Sequence, residues 1–117
     1  MSERIEISQD DWSNYLSEVT ASNRGRLVAV DIAGPNEVSP KQEIDIPAMG
    51  KPLFAVEYEP VTKGNDIFLS LGEESLDYEH TIAAPLELTA NLDADGSLDS
   101  LEIMDQNGAR TTLDFLQ

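Results

Sequence analysis

The chain has 117 residues, 40% of them hydrophobic, and its formal net charge is −16 because 23 Asp and Glu face only 7 Lys and Arg. A chain of this length predicts a single domain over residues 1–117, large enough to bury a core. The shortage of basic side chains argues against direct nucleic-acid binding and against docking on an anionic membrane, since both draw on Lys and Arg to replace counterions.

The absence of cysteine excludes disulfides, thiolate zinc sites and cysteine nucleophiles. No apolar run approaches the roughly 18 residues of a membrane-spanning helix. The segment Met1–Glu6 also lacks the basic flank and apolar core of a signal peptide. We therefore expect a cytoplasmic protein.

The first predicted element is an amphipathic helix of about residues 9–21. Its apolar residues share one face at helical spacing: Trp12, Tyr15, Leu16 and Val19. Ser8 is placed to cap the helix through its hydroxyl, and Ile7 is spaced for a hydrophobic staple with Trp12. We expect this apolar stripe to lie on a sheet.

Apolar alternation predicts four strands in the middle of the chain. They cover residues 26–32, 42–47, 53–58 and 67–71. The last two are predicted to form a hairpin with a long loop. Pro47 and Pro52 flank Met49–Gly50, just after the second, which predicts an edge strand or an irregular loop there. The polar stretch 72–79 predicts a loop or a single helical turn.

The C-terminal part of the chain predicts a three-stranded antiparallel meander. Apolar residues alternate from Leu86 to Leu92, again around Glu102, and from Thr111 to Phe115. Two similar turns, Leu92–Gly96 and Met104–Gly108, separate these strands.

The lengths of the two turns predict the register of the meander. A first turn of four residues places Leu88 opposite Leu101 and Leu86 opposite Ile103. A second turn of three residues, ending in glycine, places Leu101 opposite Leu113. The sequence therefore predicts an α+β domain with one N-terminal helix packed on an antiparallel sheet of about five or six strands, which ends in a three-stranded meander.

Characteristic strand and turn segments are distributed over nearly the whole chain, from about residue 7 to 115. They are the Trp-bearing N-terminal helix, Val56–Pro60, Gly64–Asp66, Tyr78–Pro85 and the two C-terminal turns. Together they resemble a family of short bacterial domains of unknown function. Glu59 stands where the resemblance leads us to expect Asp. The resemblance implies a fold and brings no activity, ligand or site.

The acidic first turn of the meander contains the metal-site candidate. Residues 91–102 match a calcium-loop pattern, with acidic or amide oxygens at positions 1, 3 and 5, glycine at 6 and Glu at 12. The candidate ligands are Asn91, Asp93, Asp95, Ser97, Asp99 and Glu102. An EF-hand needs an entering helix, whereas the alternation before this loop predicts a strand. We therefore favour a hairpin turn, with calcium as the alternative, and expect no other cofactor.

Catalytic motifs are absent from the sequence. His80 is the only histidine, so any Ser-His-acid triad would have to use it, and no nucleophile elbow or nucleotide fingerprint accompanies it. Folding would have to pair the carboxylates Glu57, Glu59, Glu79 and Glu102 before they served as an acid and base. We expect no catalytic residues and no enzyme activity.

These observations favour a non-catalytic interaction module with a protein partner. A second hypothesis is calcium binding at residues 91–102. A third is acidic mimicry of a nucleic acid, which would inhibit a basic partner. A free edge of the sheet would also support a homo-oligomer.

Overall fold

The computed structural model describes residues 3–34, 50–72 and 76–116, which form one helix and eight strands. Short 3-10 turns lie at Gln9–Asp11 and Val61–Lys63. The elements in chain order are β1 (Glu3–Ile7), α1 (Trp12–Asn23), β2 (Leu27–Ala33), β3 (Lys51–Glu59), β4 (Asp66–Gly72), β5 (Leu76–Ala83), β6 (Pro85–Leu92), β7 (Leu98–Asp105) and β8 (Arg110–Phe115). The predicted α+β class, with an N-terminal helix and an antiparallel sheet, is confirmed.

The eight strands form one sheet in the order β1-β6-β7-β8-β2-β3-β4-β5, and every pairing is antiparallel. The sheet is therefore larger than the predicted five or six strands. The two edge strands account for the difference: β1 is short and charged, and β5 begins within the acidic stretch predicted as a loop or helical turn. The predicted strand at residues 42–47 lies outside the described residues.

The sheet narrows where β2 meets β3. These strands pair at only two positions, Leu27 with Pro52 and Val28 with Lys51, whereas β2 and β8 pair at six. The junction separates a long half, made of β1, β6, β7, β8 and β2, from a short half, made of β3, β4 and β5.

Helix α1 supplies hydrogen bonds to β3 beyond this junction. Thr20 Oγ1 accepts a hydrogen bond from the Val56 N–H at 3.0 Å and donates one to the Val56 carbonyl at 2.9 Å. A side chain of the helix thus satisfies backbone groups of β3, which fixes α1 against the short half.

One hydrophobic core joins α1 to both halves of the sheet. The predicted helical stripe is confirmed, since Trp12, Leu16 and Val19 are buried and Tyr15 is half-buried against them. The hydrophobic strand residues buried in this core are Val28, Val30, Leu53, Val56, Ile67, Leu69, Leu71, Ile82, Leu88, Ala90, Leu98, Leu101, Ile103, Leu113 and Phe115. Burial of this apolar surface is the main force that holds the helix on the sheet.

The start of α1 differs from the predicted cap. The 3-10 turn precedes the helix, and Ser8 accepts the Asp11 N–H through its backbone carbonyl at 2.8 Å. The predicted hydroxyl cap is wrong, because the Ser8 side chain makes no capping bond. Trp12 Nε1 donates to the Ile7 carbonyl at 2.8 Å, so the predicted Ile7–Trp12 proximity includes a polar contact that ties β1 to α1.

The predicted meander and its second turn are confirmed, with Leu101 opposite Leu113. The register of the first hairpin is wrong by two residues: Leu88 lies opposite Ile103, and Ala90 lies opposite Leu101. The Asp93 N–H bonds to the Ser97 carbonyl, so the turn closes over three residues and not four. A register shift between Asn91 and Leu92 then brings the core-facing residues of the two strands opposite each other.

The predicted partner of Ile103 is also wrong. Leu86 sits at a second irregularity, between Pro85 and Glu87, and its side chain is 61% exposed. The predicted hairpin of β3 and β4 is confirmed, with a register shift between Leu53 and Ala55. The one described helix is too short to span a bilayer.

Candidate functional site

The predicted calcium loop folds as a hairpin turn between two strands. Asp93 Oδ1 accepts the backbone N–H groups of Asp95 and Ser97 at 3.1 and 3.2 Å. Asp95 Oδ1 accepts the Ser97 N–H at 2.9 Å. These carboxylate oxygens are therefore engaged with the backbone of the turn, as expected for Asp in a tight turn.

The ends of the predicted loop lie in the strands. Glu102 Oε2 lies 2.7 Å from Arg4 Nη1, and Asn91 Nδ2 donates to Glu102 Oε2 and to Ser100 Oγ, each at 2.9 Å. The hydrogen bond from Arg4, aided by that from Asn91 and by the charge of Arg110, lowers the pKa of Glu102 despite partial burial.

The six predicted ligands are therefore divided between turn and strands. Asp99 is exposed at the start of β7, next to the buried Leu98. Across residues 3–34, 50–72 and 76–116, the His, Asp and Glu side chains form no group of three that would hold a metal ion. Calcium binding stays a prediction.

His80 lies on the edge strand β5, opposite Leu69 of β4. Its ring stacks on that of Tyr78 with centroids 6.4 Å apart, and burial lowers its pKa. The register places Glu57 opposite Phe68 and Glu79 opposite Ser70, in different rows of the sheet.

Two clefts lie along α1, where the helix borders neighbouring elements. One cleft, of about 620 Å³, lies between the C-terminal half of α1 and the turn that joins β6 to β7. A second, of about 430 Å³, lies between the N-terminal half of α1 and β1. Tyr15 and Glu18 line both clefts, which are therefore adjacent, and we call the two together the α1 trough.

Carboxylates dominate the charge of the α1 trough. The acidic residues that line it are Glu6, Asp11, Glu18, Asp93 and Asp95, and the basic one is Arg26. Ile5, Ile7 and the ring of Tyr15 add apolar surface to the second cleft. The trough thus combines negative charge with apolar surface, a combination suited to basic side chains with aliphatic stems.

The Arg26 side chain, which lines the first cleft, is held in place by contacts with three elements of the fold. Its Nη1 donates to Asn23 Oδ1 at 2.8 Å and to the Leu98 carbonyl at 3.0 Å, and its guanidinium lies 5.0 Å from the centroid of the Phe115 ring. The side chain therefore ties the end of α1 to the start of β7 and to β8.

Two titratable groups of the trough, Asp95 and Tyr15, have shifted pKa values. Interaction with the Asp93 carboxyl, together with hydrogen bonds from the Ser97 hydroxyl and N–H, lowers the pKa of Asp95 to about 2. Burial, together with the charge of Glu18, raises the pKa of Tyr15, which keeps its hydroxyl neutral.

Strand β1 forms one border of the trough and one edge of the sheet. It pairs with β6 from Glu3 to Ile7, and none of the other described strands lies on its second side. Ile5 and Ile7 share the core face, opposite Ala90 and Leu88, and Ile5 is 36% exposed.

Comparison with protein families decides which family this fold represents. The model of DUF5335, a family of unknown function, matches residues 3–117. The chain belongs to this family. The predicted resemblance to short domains of unknown function is thereby confirmed. No curated protein and no solved structure matches the chain.

Sequence reasoning missed the trough as a site. It assigned Tyr15 to the core stripe and Asp93 and Asp95 to a turn or calcium loop, and it identified no strand before the helix. The useful signal was the alternation of Glu3–Ile7, in which Ile5 and Ile7 share one face.

Proposed function

We propose that this protein is a non-catalytic interaction module that binds a basic segment of a partner protein in the α1 trough. The observation that carries the proposal is the adjacency of two clefts at Tyr15 and Glu18, with five carboxylates along their lining. Negative potential in a concave site raises the local concentration of cationic groups and speeds their association.

The position of the other polar groups supports a binding role over a catalytic one. His80 does not line the trough, and Asp93 and Asp95 accept backbone hydrogen bonds within their own turn. A concave trough also fits an inserted segment better than it fits mimicry of the convex phosphate backbone, so we favour a basic peptide as the ligand.

A capped hexapeptide of alternating lysine and valine tests this proposal. We expect it to produce saturable amide shifts in the ¹⁵N spectrum at Tyr15, Glu18 and the β6–β7 turn. Binding should weaken as salt rises, because ions screen exposed charges beyond about 10 Å at 0.1 M. The same peptide with glutamate in place of lysine should leave the spectrum unchanged.

A matched pair of charge reversals locates the site. Glu18→Lys should weaken binding of the lysine-valine peptide by about threefold or more, since it reverses an exposed charge in the trough. Glu57→Lys makes the same change at an exposed position of β3 that does not line the trough, and should have little effect. Equal losses in the two variants, or no saturable shift up to millimolar peptide, would contradict the proposal.

A further inference from the structure

The backbone edge of β1 lies beside the trough. β1 is the terminal strand of the sheet, and Ile5, Glu6 and Ile7 line the second cleft together with Asp11 and Tyr15 of the helical segment. One row of its backbone N–H and C=O groups therefore points away from β6, and no other described strand pairs with it.

An edge strand next to a groove is the arrangement in which an extended peptide adds to a sheet. Main-chain hydrogen bonds then supply affinity, and alternate side chains of the peptide enter the groove. We propose that the partner segment binds as an added ninth strand on β1, an inference that rests on the proposed function of the trough.

The residues around this edge specify the chemistry of the added strand. Its groove-facing side chains would lie beside Ile5 and Ile7 and would meet Tyr15, which favours apolar residues. Side chains on its other face would lie beside Glu6. Arg4 does not oppose a basic segment there, because its guanidinium is bound to Glu102. The structure therefore favours a segment in which apolar and basic residues alternate.

Charge argues against a second copy of this chain as the occupant. The chain carries a net charge of −16, and β1 itself contains Glu3 and Glu6. Two copies that each carry this net charge would repel one another as their β1 edges approached. A basic segment of another protein removes this conflict.

Two analogues of the lysine-valine hexapeptide test strand addition. Successive N–H groups of an extended peptide point to opposite edges, so only every second one can bond to β1. One analogue is N-methylated at the valines and the other at the lysines, and both keep all side chains. We expect one analogue to bind at least tenfold more weakly than the parent and the other to stay within about threefold.

Hydrogen exchange at Glu3–Ile7 provides the second measurement. The parent peptide should slow exchange of the outward β1 amides, and the weak analogue should not. Equal binding by all three peptides would overturn strand addition while leaving a basic-segment module intact. Strand addition would also be overturned if both analogues lost affinity equally, or if the peptide slowed amide exchange only in β5. A dimer formed through β1, detected by sedimentation, would overturn it as well. Absence of binding by the parent would overturn both proposals.

Discussion

The two turns of the C-terminal meander share one local structure and differ in their surroundings. In each, the aspartate N–H bonds to the carbonyl four residues later, and the glycine N–H bonds back to the aspartate carbonyl at 3.0 Å. Asp93 Oδ1 accepts two backbone N–H groups at 3.1 and 3.2 Å, and Asp105 Oδ1 accepts the equivalent two at 2.9 and 3.0 Å.

The surroundings give the two turns different roles. In the second turn, the Gln106 N–H donates to the Ala84 carbonyl at 2.9 Å, which anchors the turn to the link between β5 and β6. The first turn carries an additional carboxylate, Asp95, and lines the trough. A short sequence pattern is thus sufficient to specify the turn, whereas neighbouring elements decide whether it is anchored to another loop or lines the trough.

Removal of the turn-forming carboxylate should have the largest effect on stability, and the size of this effect should differ between the two turns. Asp105→Ala leaves two N–H groups without their acceptor, one of them at the partly buried Ala109. We expect it to lower the free energy of unfolding by about 2 kcal/mol. Asp93→Ala should lower the free energy of unfolding by about 1 kcal/mol, less than Asp105→Ala because the hydrogen bonds of Asp93 are exposed to water. Urea denaturation measures both, and a larger loss for Asp93→Ala would reverse the assignment of roles.

A smaller effect should appear in binding. Asp95→Asn keeps the shape of the side chain and removes a charge from the trough, so the lysine-valine peptide should bind about twofold to threefold more weakly. Asp99→Asn is the matched control, because Asp99 is exposed nearby and does not line the trough. A loss of affinity in Asp99→Asn as large as in Asp95→Asn would show that general charge, and not the trough, determines binding.

The smallest effect concerns pH. The pKa of Asp95 falls from 3.8 to about 2 in the folded protein, so its ionised form stabilises the fold fully above about pH 3.8 and loses this effect as the pH falls toward 2. The difference in unfolding free energy between wild type and Asp95→Asn should therefore shrink over this interval. A difference that stays constant from pH 5 to about 2 would contradict the shifted pKa.

Local patterns in the sequence were sufficient to predict several elements. The i, i+3, i+4 spacing from Trp12 predicted α1, and the Asp-to-Gly turns predicted the meander and the pairing of Leu101 with Leu113. In these cases the residues that form the element lie close together in the chain, so propensity and periodicity report on the structure directly.

The features that local sequence patterns did not predict depend on pairing between segments that are distant in the chain. β1 is a strand because it pairs with β6, and in chain order the helix and four other strands lie between them. The first hairpin register depends on which carbonyl receives the Asp93 N–H, which strand alternation alone does not specify. The trough combines β1, α1 and the β6–β7 turn, so no single stretch of sequence contains its pattern.

The bond pair between Thr20 and Val56 has a mechanical consequence. It fastens α1 to the short half of the sheet, whereas β1 is fastened to the long half through β6. α1 is also tied to the long half, through the bonds from Trp12 to Ile7 and from Arg26 to Leu98. The helix therefore links the two halves of the sheet independently of the β2–β3 ladder, which contributes two residue pairs.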